Sequence, residues 1–443
     1  MKRFIAVCAG LVFGLYLFAQ QDFTLDQAIS YGLAANNKIK LAKIEVADAE
    51  GQLLEYKSIG IPKVNASVDY NYFPQVPQFL IPRQFIDPDA PDGSFALLPA
   101  GTKQGLTAKI EASAIIFDAA WLVGLKAQRL YRELIAKQGE ASNEEIKSAV
   151  TKAYLAVLIA EKNKEVLVKN ISNLTKTLKE TRAIYENGFA EKLDVDRLQL
   201  SLNNLNIESE KLDRLIAISY NLLKFQMGCP MEDEIRANDN LDMLIAKFTV
   251  EATDLEAPVD YNSRSEYAAI SLGEELAKIN IRRYQMGYFP ILNAFGSHQE
   301  QLQRNNLFDK DENGWFGTTV VGLSLKIPIF DGLDKKAKIQ RARILLDKTL
   351  IQKNDFERAV TLEVKNARTA YLNARESVTA TDKSLQLAQE IYNTTQIKFK
   401  EGVGSSFEVA QAERELYTAQ ANYTGALYEL LVAKSDLDKA LGK

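Results

Sequence analysis

The 443-residue sequence has only two cysteines, Cys8 and Cys229, and a single histidine, His298. That inventory excludes disulfide frameworks, zinc sites built on Cys and His, and Cys–His catalysis. A Ser-His-Asp triad would have to be built on His298. Five methionines argue against a dedicated exporter of copper or silver, which would use soft thioether ligands. Neither charge sign is in excess: 54 basic residues stand against 58 acidic ones, so the chain carries no electrostatic footprint for nucleic acid. The sequence also lacks a phosphate-binding glycine loop, a metal-ligand cluster and a nucleophile–base pair, so neither an enzyme nor a cofactor is expected. Long apolar runs are absent after the first 20 residues. If the rest of the chain enters a membrane, it must do so with strands.

What is present begins with an address. Lys2 and Arg3 precede an almost wholly apolar run from Phe4 to Phe18, followed by Ala19 and the polar Gln20-Gln21-Asp22. This reads as a secretory signal peptide over residues 1–19, cleaved after Ala19. A retained anchor is the alternative, but the run is short of the roughly 20 apolar residues a spanning helix needs. Cys8 lies too early in the run to be a lipidation site.

The mature chain is one unit written twice. Ile116-Phe117-Asp118 recurs as Ile329-Phe330-Asp331, Tyr185-Glu186-Asn187-Gly188 as Phe399-Lys400-Glu401-Gly402, and Gly60-Ile61-Pro62 is echoed by Gly287-Tyr288-Phe289-Pro290. Each half reads helix, strand, loop, strand, long helix, glycine turn, helix, which sets the halves at 20–258 and 259–443. The long helices carry paired seams of seven-residue period. The first half has Val150, Val157, Lys164, Ile171, Leu178, Tyr185 beside Ile146, Ala153, Ala160, Leu167, Leu174, Thr181. The second has Val364, Tyr371, Val378, Leu385, Tyr392, Phe399 beside Val360, Ala367, Ala374, Thr381, Ala388, Thr395. Alternating spacings of three and four indicate coiled-coil packing. A continuous helix from Asp118 to Asn187 would be roughly 100 Å long, too long for a compact globule. Gly188 and Gly402 end the long helices, and short turns there make each half a helical hairpin.

The strands show period two. Val64, Ala66, Val68, Tyr70 and Tyr72 alternate with polar residues, as do Leu106, Ala108, Ile110, Ala112 and Ala114. Val321, Leu323, Leu325, Ile327 and Ile329 form a third set, and Leu292, Ala294 and Gly296 a weaker fourth. One apolar and one polar face suit a half-buried soluble sheet or a barrel wall between lipid and water. The export signal favours the membrane. Tyr70, Tyr72, Phe73, Trp315 and Phe316 sit near the loop ends, where a barrel places its aromatic girdle. Two loops interrupt the strand pairs, Pro74 to Gly105 and Asn305 to Gly314. In the second, Asp309 to Gly314 matches the front of a calcium-binding loop, but Val320 stands where that loop needs a glutamate, so no metal is expected.

These residues resemble the TolC-like outer-membrane efflux proteins. The resemblance rests on the duplicated unit, the paired Ile-Phe-Asp motifs and the paired aromatic-x-x-Gly turns, and covers nearly the whole mature chain. It implies a mainly α fold with a membrane β-barrel. In that family a homotrimer shares one twelve-stranded outer-membrane barrel, four strands from each chain, above a periplasmic α-helical barrel. It also implies outer-membrane lipid around the strands, and as partners a periplasmic adaptor and an inner-membrane pump, or an exporter ATPase. The turns Gly188-Phe189-Ala190 and Gly402-Val403-Gly404 match the family's adaptor-docking tips. The acidic positions that ring the pore's narrow end fall on Glu408 and Gln411, the second departing from the pattern. Their first-half counterparts are Asp194 and Arg197. Strands add an independent reason for assembly: four strands leave two open edges, and unpaired backbone groups in lipid cost several kcal/mol each.

The expected function is therefore a passive outer-membrane duct of a tripartite efflux system for small molecules. The same fold also suits type I protein secretion. A periplasmic coiled-coil scaffold or adaptor shares the heptads, but strands duplicated in step with the helices do not suit it.

Overall fold

The computed structural model describes residues 21–247, 255–309 and 314–443. The signal peptide and residues 310–313 of the calcium-like loop lie outside the described residues. The first half runs β1 (Gln21–Phe23), α1 (Leu25–Ala35), α2 (Asn37–Ser58), β2 (Lys63–Tyr72), β3 (Gln78–Pro82), β4 (Phe95–Pro99), β5 (Gln104–Phe117), α3 (Ala119–Glu186), α4 (Lys192–Met227), β6 (Ile235–Ala237) and α5 (Leu241–Lys247). The second runs α6 (Ser265–Met286), β7 (Ile291–Arg304), β8 (Phe316–Lys326), α7 (Asp334–Lys400) and α8 (Ser406–Leu441).

The repeat is visible in the element boundaries. Helices α2 and α6 both have 22 residues, with Asn37 matching Ser265, an offset of 228. Helices α4 and α8 both have 36, with Lys192 matching Ser406, an offset of 214. The offset falls by 14 between the strands because the first strand-to-strand loop is the longer one. That loop is not wholly irregular: β3 and β4 pair as a hairpin, Phe79 opposite Leu98 and Leu80 opposite Leu97. The Pro- and Asp-rich composition of the loop concealed those two short runs.

The chain divides into two compact units. One comprises residues up to Val46, Ile135–Ile270 and Gln352–Lys443; the other comprises Ala47–Leu134 and Ser271–Ile351. The second unit holds a four-stranded antiparallel sheet in the order β2-β5-β7-β8. Its register sets Val64, Ala112, Gly296 and Val321 in one row, so the apolar positions of all four strands share a face. That face is uncovered: Val68 is 71% exposed and Val321 83%. The weakest strand pattern, around Ala294, gives one of the two longest strands, because β7 is hydrogen-bonded on both sides. Strand β8 stops at Lys326, short of the apolar alternation through Ile329; Pro328 has no N–H to extend the ladder. His298 is a strand residue, its Nδ1 2.8 Å from Thr319 Oγ1 and its Nε2 3.4 Å from Glu300.

The Ile-Phe-Asp motifs have a local cause. Asp118 Oδ1 accepts from the N–H groups of Ala120 and Trp121 at 2.8 and 3.0 Å, capping α3 where its first amides lack helical partners. Asp331 accepts from the Lys335 N–H at 3.1 Å at the start of α7. In this unit Gly60 is also obligatory: a Cβ there would meet the Trp121 ring at 2.2 Å.

The helical unit is held by its seams. Ile146, Val150, Ala153, Val157, Ala160, Leu167 and Leu174 are all buried. Val360, Val364, Ala367, Tyr371 and Ala374 are buried in α7. Lys164 occupies a seam position without violating it, because its Nζ reaches Ser209 O and Asp213 Oδ2 on α4 at 3.1 and 2.7 Å. Helices α3 and α8 run antiparallel, through contacts of Lys152 with Asp436, Asn163 with Thr424 and Asn170 with Gln420. The largest core cluster centres on Tyr154, packed among Phe23, Leu25, Ile39, Leu223, Met227, Ile235 and Leu431. Its hydroxyl lies 2.8 Å from the Phe23 carbonyl and 2.9 Å from Asp239 Oδ2. It also accepts from the Asn238 N–H at 3.2 Å. Tyr154 thus ties the small parallel pair β1–β6 to α3; burial beside Asp239 raises its pKa.

Candidate functional site

The two glycine turns share the same pair of helix-ending bonds. At Gly188 (φ 80°) the glycine N–H donates to Tyr185 O at 2.9 Å and the Phe189 N–H to Ile184 O at 3.0 Å. At Gly402 (φ 77°) the corresponding bonds run to Phe399 O at 3.1 Å and, from Val403, to Lys398 O at 3.0 Å. This is the Schellman arrangement, in which a left-handed residue satisfies the last carbonyls of a helix. Glycine adopts that conformation without the Cβ penalty other residues incur. No atom lies within 4 Å of a Cβ built at either position, so backbone conformation, not crowding, selects glycine. Phe189 and Val403 stand out from the turns, 86% and 79% exposed. Two matched turns, each presenting a bare apolar side chain, form a surface another protein could grip.

Just beyond the turns, α4 and α8 begin. Asp194 Oδ2 accepts from the Glu191 N–H at 3.2 Å, and Ser405 Oγ from the Glu408 N–H at 3.2 Å. Each helix therefore starts with a side chain satisfying an amide that has no helical partner. Glu408 is exposed and lies in the first turn of α8, where a carboxylate is favoured by the helix dipole. Gln411 is engaged locally: it donates to Glu415 at 2.7 Å and accepts from Arg414 at 3.1 Å.

The first-half counterparts join the two hairpins. Asp194 Oδ1 accepts from Ser406, which is fully buried. The Arg197 guanidinium lies 5.6 Å from the centre of the Phe407 ring, a cation–π contact. Beneath them Leu174, Leu178, Val195, Leu198 and Val409 form a shared core, with Phe399 against it. Ser406 and Phe407 were not legible as site residues. Their partners lie more than 200 positions away, and only the constant offset between the halves hinted that the two turns end side by side.

A last carboxylate escaped sequence reasoning altogether. Glu413, one turn and a half beyond Glu408, is 5% exposed, and neither of its oxygens has a hydrogen-bond partner among the described residues. Burial alone pushes its pKa up to about 8, because desolvation disfavours the charged form. It borders a groove of about 470 Å³ between α4 and α8. Among the described residues no group of His, Cys, Asp and Glu could hold a metal ion. Nor is any described helix long and apolar enough to cross a membrane.

Residues 263–443 match the family model for outer membrane efflux proteins. The chain is 22% identical over 340 residues to the outer membrane protein TolC of Vibrio cholerae, covering 76% of each. It is 22% identical over 366 residues to the probable efflux pump outer membrane protein TtgC of Pseudomonas putida, covering 79% of this chain and 73% of that one. Its fold matches the open state of the Neisseria gonorrhoeae MtrE outer membrane channel with a TM-score of 0.72 at 18% identity, covering 94% of this chain and 88% of that one.

Proposed function

The chain belongs to the TolC-like outer-membrane efflux proteins, and from that premise we propose that it is the passive outer-membrane duct of a tripartite efflux system. The observation that carries this reading is the sheet. Four strands gather Val64, Val68, Ile110, Leu292, Val321 and Leu323 on one exposed face, interrupted on β7 and β8 by the polar His298, Glu300 and Thr319. An exposed apolar surface of this extent marks a contact site that suits lipid. Strands β2 and β8 are its open edges. In hydrocarbon those edges must be paired, and three copies of this chain closing a twelve-stranded barrel would pair them all.

The helical unit would then form the periplasmic part, each of the repeats 20–258 and 259–443 supplying one hairpin to it and two strands to the sheet. Gly188, Phe189, Ala190, Gly402, Val403 and Gly404 would be where a periplasmic adaptor docks, linking the duct to an inner-membrane pump. Glu408 and Gln411 would face the narrow end of the pore, with Asp194 and Arg197 holding the neighbouring turn in place. The work of transport would come from the pump; the duct supplies a path and an opening.

The test is the native mass of the protein extracted in detergent from outer membranes. Three chains, dissociating on heating, is the expected result. A soluble monomer or dimer in the periplasmic fraction would overturn the duct and return the heptads to a scaffold.

A further inference from the structure

We propose that Glu413 is a proton-held latch in the helix packing behind the paired turns: α4, α7 and α8 close around its neutral carboxyl, and ionisation loosens them.

The geometry is specific. Glu413 lies in α8 with 5% of its surface exposed, and both oxygens are unpartnered among the described residues. An unpaired buried carboxylate is strongly disfavoured, so such a group is held neutral or must gain water or a cation. The cations that could answer it are committed elsewhere. On α4, Arg197 lies over the Phe407 ring, and on α8 itself Arg414 donates to Gln411 at 3.1 Å. The other titratable groups are Glu208 on α4, Tyr417 on α8 and Tyr392 on α7. On α3, Glu180 is 3.8 Å from Lys400, and Arg182 donates to Gln199 at 3.3 Å. Tyr392 is pushed up to about 12 by burial and by the charge Glu413 would carry.

The repeat supplies a second observation. The first-half position matching Glu413 is Gln199, a permanently neutral amide satisfied by Arg182 and Asn203. The second hairpin carries a titratable side chain of the same length and leaves it unsatisfied. Beside it the groove of about 470 Å³, lined by Arg197, Asn204, Phe407 and Tyr417 among others, offers water a way in. On ionisation the proton leaves to solvent, and the carboxylate draws water or one of the two guanidinium groups towards itself. Either movement parts α4 from α8 close to the turns.

The sign follows from linkage. The closed packing holds a proton that the loosened packing gives up at the ordinary glutamate value of 4.5, whereas the closed state gives it up only at about 8. Closure is therefore favoured at low pH, and the opening equilibrium rises about tenfold per pH unit between those two values and levels above the second.

Hydrogen–deuterium exchange on the full-length protein in detergent tests this, after correction for intrinsic exchange chemistry. Segments 190–210 and 385–420 should open about tenfold more per unit between about pH 5 and about pH 8. Glu413→Gln should flatten that dependence, whereas Glu408→Gln should keep it. An unchanged dependence in Glu413→Gln overturns the latch, as does a flat wild-type profile. If Glu413→Gln does not fold, infrared spectroscopy of the wild type decides. A protonated carboxyl band that disappears as pH is raised through about 8 supports the latch, and its absence at about pH 7 refutes it. These measurements read packing and protonation, so they stand or fall independently of whether the chain conducts.

Discussion

Glu408 and Glu413 lie on one helix, five residues apart, and differ only in what surrounds them. Glu408 is exposed, its backbone capped by Ser405 and its charge aligned with the helix dipole. Glu413 is buried and unpartnered. The first is open to water; the second is held away from it. For the pore assignment, replacing Glu408 with alanine should weaken block of single-channel conductance by multivalent cations a few-fold. Unchanged block in planar bilayers would remove Glu408 from the constriction. Of the residues that motif matching singled out, the two glycines are explained by backbone conformation alone. Asp194 and Arg197 have definite partners in Ser406 and Phe407, which no local pattern could disclose.

The elements themselves follow closely from periodicity, because helix and strand periods are local properties of a sequence. The heptad seams are buried over Ile146–Ala160 and Val360–Ala374 and half-buried over much of the rest, and the Gly188 and Gly402 turns are matched Schellman caps. Two smaller elements escaped notice, the β3–β4 hairpin and the parallel pair β1–β6. Runs of three to five residues carry too little pattern to rise above their loops, and parallel partners lie far apart in the chain. The second of these depends on Tyr154. Replacing Tyr154 with phenylalanine would remove the hydroxyl's bonds to the Phe23 carbonyl, Asp239 and the Asn238 N–H. The Asn238 N–H still donates to the Phe23 carbonyl at 3.0 Å and the Leu25 N–H to Asp239 at 2.6 Å, so the expected cost is about 0.5–1.5 kcal/mol. A lower thermal midpoint, with faster hydrogen exchange at residues 21–25 and 235–239, is the expected result. An unchanged midpoint would show that the hydroxyl is dispensable to this junction.

At the scale of the molecule, the sheet ties the fold to its location. The apolar positions share one face because strand pairing keeps them in register. A lysine in place of Val68, on that face, should cost about 2–4 kcal/mol if the side chain lies at the bilayer midplane. The amount of heat-dissociable assembly in outer membranes should fall. A lysine at neighbouring Ser67, on the opposite face, should be tolerated. Equal tolerance at both positions would contradict a lipid-facing role for this surface.

The duplication, the order of helices and strands, the glycine turns and the alternation that suits a membrane wall are all legible in the order of the amino acids. Each is written in spacing or in a residue's own conformational limits, and needs no distant partner to be read. Which carboxylate is buried, that Asp194 serves the turn of the other hairpin, and that Tyr154 closes a junction between segments 85 and 131 positions away emerge only once the chain is folded. Burial and hydrogen bonding of a single polar side chain depend on which helices meet. That is a property of packing between remote segments, to which local periodicity is blind.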